Sequence, residues 1–275
     1  MTDFPGKVAV ITGAASGIGA GLARHAASLG MKLALADFNG DGLQEVAGGL
    51  ATGAITATLD VRDADAFRTF ADTVYDRFGT VDLLFNNAGV LHTGYSWEIA
   101  DEAWKASWDV NINGIVNGLR AFVPRLIAAA QPARIINTAS VGGFLPSPMM
   151  APYSMTKSAV IALSECLMGE LDMLGSPVKI SVLAPGPVKS RIMHQDATGD
   201  GQRFRDTLQY LQDKHGLTPD EFAPLVFEAI ARGDYWIVPQ PESLDADLKR
   251  RMDSVYARTQ PYYYRFIEAS EGEQP

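Results

Sequence analysis

Short runs of consecutive apolar residues alternate along the chain with longer stretches whose apolar positions recur every three or four residues. The short runs, bounded by Gly, Asp and Asn, predict buried strands at residues 7–12, 32–36, 54–59, 81–86, 134–138 and 179–183, with a last short strand at 235–238. The longer periods predict helices. Ile18, Leu22, Ala26 and Leu29 set one over 17–29, and others fall at 41–50, 64–78, 103–130, 151–174 and 219–231. Gly79 stands where a helix-stopping glycine belongs. Strands of this length between helices of ten or more residues imply βαβ units. Right-handed crossovers then make an α/β, Rossmann-type doubly wound parallel sheet flanked by helices the economical topology. Residues 1–240 are expected to form one dinucleotide-binding and catalytic domain. Residues 241–275, with Leu248, Met252 and Val255 at helical spacing, are expected to add a helical, aromatic extension packed on the same body. The polar segment 191–216 reads as a long loop, a lid over the site.

Composition narrows the function classes. The 275 residues carry 23 basic and 32 acidic side chains, a formal charge of −9, which disfavours nucleic acid and anionic membranes as partners. No apolar run is long enough to span a bilayer, and the N-terminus lacks a basic start followed by an apolar run. The single cysteine, Cys166, cannot form an internal disulfide. It is read as a small core residue of a cytoplasmic protein. His25, His92, His194 and His215 are scattered without metal-ligand spacing, so no metal is expected.

The candidate chemistry begins where the first strand meets the first helix. Glycines at 13, 17 and 19, with Ser16 and Ile18 between them, supply a tight turn and free amides at a helix start. A dinucleotide pyrophosphate needs both. Alone, the turn is weak evidence, and a plain strand–helix corner is its lesser alternative. The second strand ends in Asp37, followed by Phe38. A carboxylate there can accept hydrogen bonds from the adenosine ribose hydroxyls and would repel a 2′-phosphate, which favours NAD over NADP. Asp60 and Val61 follow the third strand, within reach of an adenine.

Together these motifs resemble the short-chain dehydrogenase/reductases, over residues 5–240. Thr12–Gly19 resembles that family's glycine-rich turn, and Asn86-Asn87-Ala88-Gly89 its N-N-A-G segment. Asn111 resembles its catalytic-helix asparagine, although Asn113 is a near neighbour. Ser140 with Tyr153 and Lys157 resembles its serine and Y-x-x-x-K pair. Pro185-Gly186-Pro187-Val188-Lys189-Ser190 resembles its nicotinamide-side P-G-x-V-x-T loop, with serine in place of threonine. The resemblance implies a cofactor site of Gly13, Ser16, Gly17, Ile18, Gly19, Asp37, Phe38, Asp60, Val61, Asn87, Ala88, Gly89, Tyr153, Lys157, Pro185, Gly186, Val188 and Ser190. It also implies that Lys157 binds the nicotinamide ribose and that Asn111 holds a water passing protons from Lys157.

Tyr153 and Lys157 are four apart on a predicted helix and share a face. A free phenol is too weak a base at neutral pH, and a nearby ammonium is expected to lower its pKa. Tyr153 then takes the proton of an alcohol or returns it to a ketone, while Ser140 stabilises charge on the same oxygen.

Loops beyond the strand ends carry Leu91, Tyr95, Trp97, Phe144, Leu145, Met149, Met150, Ile192 and Met193. This apolar set points to a hydrophobic secondary alcohol or ketone, aromatic or steroid-like, as substrate. The long helices resemble the family's dimer-forming pair, which implies a homodimer or homotetramer. The run Tyr262-Tyr263-Tyr264 is a candidate to cover a neighbouring site. Two other readings stay open: an NADP-dependent carbonyl or 3-oxoacyl reductase, and a non-catalytic dinucleotide-sensing module.

Overall fold

The structure, a computed structural model, describes residues 3–193 and 197–263. His194, Tyr264 and the end of the expected extension lie outside the described residues.

Seven parallel strands form one sheet in the order β3-β2-β1-β4-β5-β6-β7. They are β1 (Val8–Thr12), β2 (Lys32–Asp37), β3 (Ile55–Thr58), β4 (Leu83–Asn86), β5 (Arg134–Thr138), β6 (Lys179–Leu183) and β7 (Trp236–Ile237). The order reverses between β1 and β4, which pair directly with Ala9 opposite Leu83. Such a reversal opens a crevice at the carboxyl ends of the two strands.

The strands read as unbroken apolar runs because both faces of the sheet are covered. Ala9 and Ile11 of β1 pack with Leu22 and Ala26 of α1 (Gly17–Ser28) and Phe222, Val226 and Phe227 of α9 (Pro219–Arg232). Val10, on the other face, packs with Phe67 and Phe70 of α3 (Ala64–Phe78), Phe122 of α5 (Gly114–Ala129) and Leu167 and Leu171 of α7 (Ala151–Met173). Local chemistry sets the helix ends. Asp63 accepts the amides of Asp65 and Ala66 at the start of α3, and Gly79 closes it at φ +75°. The remaining short helix near the sheet, α2, spans Gly40–Gly48.

Three expectations change. The single helix over 103–130 is α4 (Asp101–Trp108) and α5 joined by a π-helical turn at Asp109–Asn113. Segment 191–216 is not one long loop. It holds a 3-10 turn (Arg191–Met193) and a 17-residue helix, α8 (Gly199–His215). Only the stripe Gly201, Phe204, Leu208 and Gln212 of α8 is buried, so its overall polarity hid the period. Cys166 is exposed, because the buried stripe of α7 runs through Ser164, Leu167 and Leu171 and leaves position 166 outside. Between these helices, Val141–Phe144 forms the single-turn α6, and α10 (Asp245–Ala257) follows β7 with no buried residue of its own. No helix among the described residues is long and apolar enough to cross a membrane.

Candidate active site

The switch point gathers the glycine turn, the end of β2 and the Asn86–Gly89 segment. Gly17 has φ +51°, and a Cβ there would lie 2.8 Å from Ser190 Cβ. A Cβ on Gly19 would fall 2.1 Å from the Gly13 carbonyl oxygen, so only glycine lets α1 start this close to the turn. Thr12 ties the turn to β4: its hydroxyl accepts the amides of Asn87 (2.9 Å) and Ala88 (3.2 Å). Asn87 Nδ2 donates to the Thr12 carbonyl at 3.0 Å. Ser16 is extended and caps nothing with its side chain, and Ile18 packs at the edge of the core.

Asp37 is 8% exposed, and its two oxygens accept the amides of Ala15 (3.0 Å) and Asn39 (2.9 Å). The carboxylate thus stands at the rim of the glycine turn. The helix-capping role nearby belongs to Asn39, which accepts the Gly42 amide. Phe38 presents 78% of its surface to solvent beside it. Asp60 is forked onto Arg62, which holds its carboxyl below the usual range, and the Val61 carbonyl accepts from Asn117 Nδ2 at 2.9 Å. This arrangement fits a dinucleotide: amides at a helix start, backbone cleared of Cβ atoms, and a carboxylate at the rim of the turn.

Across the crevice α7 carries Tyr153 and Lys157, both buried. Lys157 Nζ donates to the Thr138 carbonyl at 2.8 Å and sits 5.7 Å from the Tyr153 ring centroid. Burial pushes Lys157 down to about 8. It pushes the Tyr153 phenol up, while a hydrogen bond with Ser140 works the other way. The expected lowering of the Tyr153 pKa by Lys157 is therefore not what the free site has. The ammonium is spent on Thr138, and an apolar cluster of Leu91, Met150, Phe204 and Leu208 removes water from the phenol. Ser140 also accepts the Gly142 amide at 3.1 Å, capping α6.

Asn111 lies in the π turn and is fully buried. Its Oδ1 accepts the Val90 amide (2.8 Å), and its Nδ2 donates to the Val90 carbonyl (3.0 Å) and to Thr156 Oγ1 (3.0 Å). Both Nδ2 protons are thus committed to protein groups, and Oδ1 keeps one lone pair beyond the bond from Val90. The π turn is the local deformation that brings Asn111 onto the Asn86–Gly89 segment.

The Pro185–Ser190 loop is held from below. Gln212 Nε2 donates to the Val188 carbonyl at 2.6 Å, and Gln240 Nε2 to the Pro187 carbonyl at 2.9 Å. Leu217 pairs with the same loop as a strand would, accepting the Lys189 amide at 2.9 Å and donating to the Pro187 carbonyl at 3.1 Å. The sequence reading missed Gln212, Gln240, Thr138 and Thr156. Only contact through space marks the first three, whereas Thr156 stood inside the quoted Tyr–Lys segment. It missed Phe204 and Leu208 for want of α8.

Of the apolar loop residues, Leu91 and Met150 form the pocket floor with Tyr153, and Met149, Ile192 and Met193 pack against it. Tyr95 and Trp97 instead stack on each other at 5.1 Å, with Trp97 mostly in solvent, and Phe144 turns to Trp236.

The family model for short chain dehydrogenases matches residues 7–200. The chain belongs to the short-chain dehydrogenase/reductase family. A C alpha-dehydrogenase of Sphingobium sp. is 32% identical over 277 residues, covering 93% of this chain and 88% of that protein. A 1-deoxy-11-beta-hydroxypentalenate dehydrogenase of Streptomyces exfoliatus is 36% identical over 236 residues, 84% of this chain and 82% of that one. The crystal structure of a family member from Burkholderia phymatum in complex with NAD superposes with a TM-score of 0.92 at 34% identity, covering 96% and 99% of the two chains. This short-chain dehydrogenase/reductase is accordingly an oxidoreductase with a Rossmann-type nucleotide-binding fold.

Proposed function

We propose that this oxidoreductase is an NAD-dependent dehydrogenase of apolar secondary alcohols, with Tyr153 as the proton acceptor. One observation carries the reading: the Tyr153 hydroxyl, hydrogen-bonded by Ser140, lies in an apolar cluster at the open end of the dinucleotide crevice. Gly13–Gly19, Asp37 and the Asn87–Gly89 segment would hold the dinucleotide, with Phe38, Asp60 and Val61 toward the adenine and Pro185, Gly186, Val188 and Ser190 toward the nicotinamide. When bound, that group supplies the hydride acceptor and, in its oxidised form, a positive charge.

The chain's own residues do the rest. Ser140 fixes the alcohol oxygen beside Tyr153 Oη, and the phenolate takes its proton. In the free site the Ser140 hydrogen bond is what favours the phenolate, while Lys157, held on the Thr138 carbonyl, stands ready for the nicotinamide ribose. Leu91, Met150, Phe204 and Leu208 exclude water and favour an apolar carbinol. The NAD complex of the Burkholderia relative and the hydroxyl compound in the Streptomyces relative's name support the same reading. Asp37 supports NAD over NADP, since a carboxylate at the rim of the glycine turn would repel a 2′-phosphate.

The test is the absorbance of reduced nicotinamide with NAD or NADP and secondary alcohols from small aliphatic to bulky aromatic. Turnover is expected with NAD and a bulky apolar alcohol. Tyr153→Phe is expected to bind NADH normally and to lose roughly 10²–10⁴ in rate. A Tyr153→Phe enzyme that turns over like the wild type overturns the mechanism. NADH binding without turnover of any alcohol or ketone would instead favour a sensing module.

A further inference from the structure

Helix α10, after the last strand, has an apolar face that its own described chain leaves open. Asp245, Leu248, Met252, Val255 and Tyr256 recur three or four positions apart and so share one side of the helix. Met252, Val255 and Tyr256 are exposed, Val255 by 56% and Tyr256 by 77%. Among the described elements, α10 makes an extended contact only with the Pro241–Ser243 turn that leads into it. Its side-chain ion pairs are internal: Lys249 reaches Asp253 at 2.7 Å, and Arg250 reaches Asp247 at 3.1 Å. The chain beyond the helix returns on the other side, where Arg250 lies over the Tyr262 ring at 5.6 Å. Arg250 and Met252 are two positions apart and point in opposite directions. A helix of 13 residues with no packed face is marginal in water, so this one needs a partner.

The charges along α10 select that partner. The chain as a whole carries −9, so two copies repel over most of their surface. Residues 245–258 are an exception, with Lys249, Arg250, Arg251 and Arg258 against Asp245, Asp247 and Asp253. Asp245 stands where the apolar face begins and Arg258 where it ends, and neither has an ion partner among the described residues. Arg258 closes the helix at φ +55°, a conformation that favours glycine. A second α10 laid antiparallel brings Asp245 of each copy to Arg258 of the other, with the two apolar rows between them. An anionic membrane offers no cation to Asp245.

We propose that this face of α10 is an interface between two copies of the chain, which join as an antiparallel helix pair about a two-fold axis. The axis passes near Met252, midway between Asp245 and Arg258. The helix is about 20 Å long. A contact of that length is small for a dimer, so it holds in the micromolar range or adds to contacts made elsewhere on the subunit.

The test is light scattering, at about 1–200 µM, of the full chain, of Asp245→Arg, of Arg258→Asp, and of the two variants mixed. Each variant alone sets like charges against each other at both ends of the pair. It is expected to show half the wild-type mass, its dissociation constant raised at least about tenfold. The mixture is expected to regain the wild-type mass, because each introduced charge then meets its opposite on the other variant. Met252→Cys combined with Cys166→Ser is expected to give a covalent dimer under mild oxidation, and Arg250→Cys in the same background is not. A wild type that stays monomeric throughout, single variants of unchanged mass, a mixture no lighter in dissociation than its components, or equal cross-linking from positions 252 and 250 overturns the interface. Binding to phosphatidylserine vesicles that Met252→Glu abolishes, with no change in mass, would assign the face to a membrane and overturn it too.

Discussion

Gln212 is the side chain through which α8 grips the Pro185–Ser190 loop, and Gln212→Leu isolates that grip. The residue is 6% exposed, and its amide reaches the Val188 carbonyl at 2.6 Å and Ser190 Oγ at 3.4 Å. Leucine fills nearly the same volume and helix propensity is kept, so the change removes the hydrogen bonds and little packing. The Val188 carbonyl is left buried without a partner, a cost of about 1–3 kcal/mol. The exchange of backbone bonds with Leu217 survives, so the loop loosens without unfolding. If the loop relaxes in the free protein and must be drawn back when the nicotinamide binds, about 1.4 kcal/mol of that cost appears as a tenfold weaker NADH complex. ADP-ribose fills the adenine and pyrophosphate positions but has no nicotinamide, so its affinity should stay within about twofold. NADH fluorescence titration and displacement by ADP-ribose measure both. Parallel weakening of the two ligands would mean that the whole crevice has slackened. Unchanged NADH binding in a destabilised protein would reduce Gln212 to a structural brace. Either result refutes the assignment.

Asp37→Ala should raise the kcat/KM ratio of NADP to NAD at least about tenfold, since a charge facing a phosphate at near contact is worth about 1–4 kcal/mol. An unmoved ratio would leave Asp37 as a brace for the Ala15 and Asn39 amides only. Lys157→Met should abolish turnover yet stabilise the free protein at pH 7. The unfolded chain keeps the lysine proton up to 10.5 while the folded state releases it at about 8, so burial of the ammonium opposes folding by about 3 kcal/mol at all pH values below 8. That penalty fades as pH rises from 8 to 10.5. The orphaned Thr138 carbonyl takes back about 1–2 kcal/mol, leaving the variant ahead by about 1–2 kcal/mol at pH 7. Urea unfolding at pH 7 and pH 10 checks both the sign and the loss of that advantage; a less stable variant at pH 7 refutes it.

The parts of this molecule that sequence reveals are those whose cause is local. Each strand is an apolar run because two helical layers cover it, and that shows in β1 as Val8–Thr12 within a residue of its predicted bounds. The glycine turn, Asp37 and the Tyr153–Lys157 pair are legible because their chemistry depends on neighbours in the chain. The π turn at Asp109–Asn113 is not, since its cause is the pairing of Asn111 with Val90, 21 positions away. α8 was hidden for a related reason: one narrow buried stripe on a polar helix gives no clear period until the surface it covers is known. The Tyr153 phenol was misjudged because proximity to a lysine in sequence says nothing about where the ammonium points. Here it points at Thr138.

That hidden helix touches the site at both ends. Its stripe of Phe204, Leu208 and Gln212 covers the Tyr153 pocket at one end and the Val188 carbonyl at the other. Thr93 Oγ1 donates to the Gly201 carbonyl at 2.8 Å and fastens the helix start to the loop after β4. The sheet-edge residues do chemistry that any substrate of the class would need, so they cannot distinguish one alcohol from another. Discrimination must come from groups that meet the rest of the substrate, and the apolar row of α8 packs beside Tyr153. Under the dehydrogenase reading, substitutions along this row are expected to change which carbon skeleton is accepted. Gln212, at the end of this row, is where a change would reach the cofactor loop.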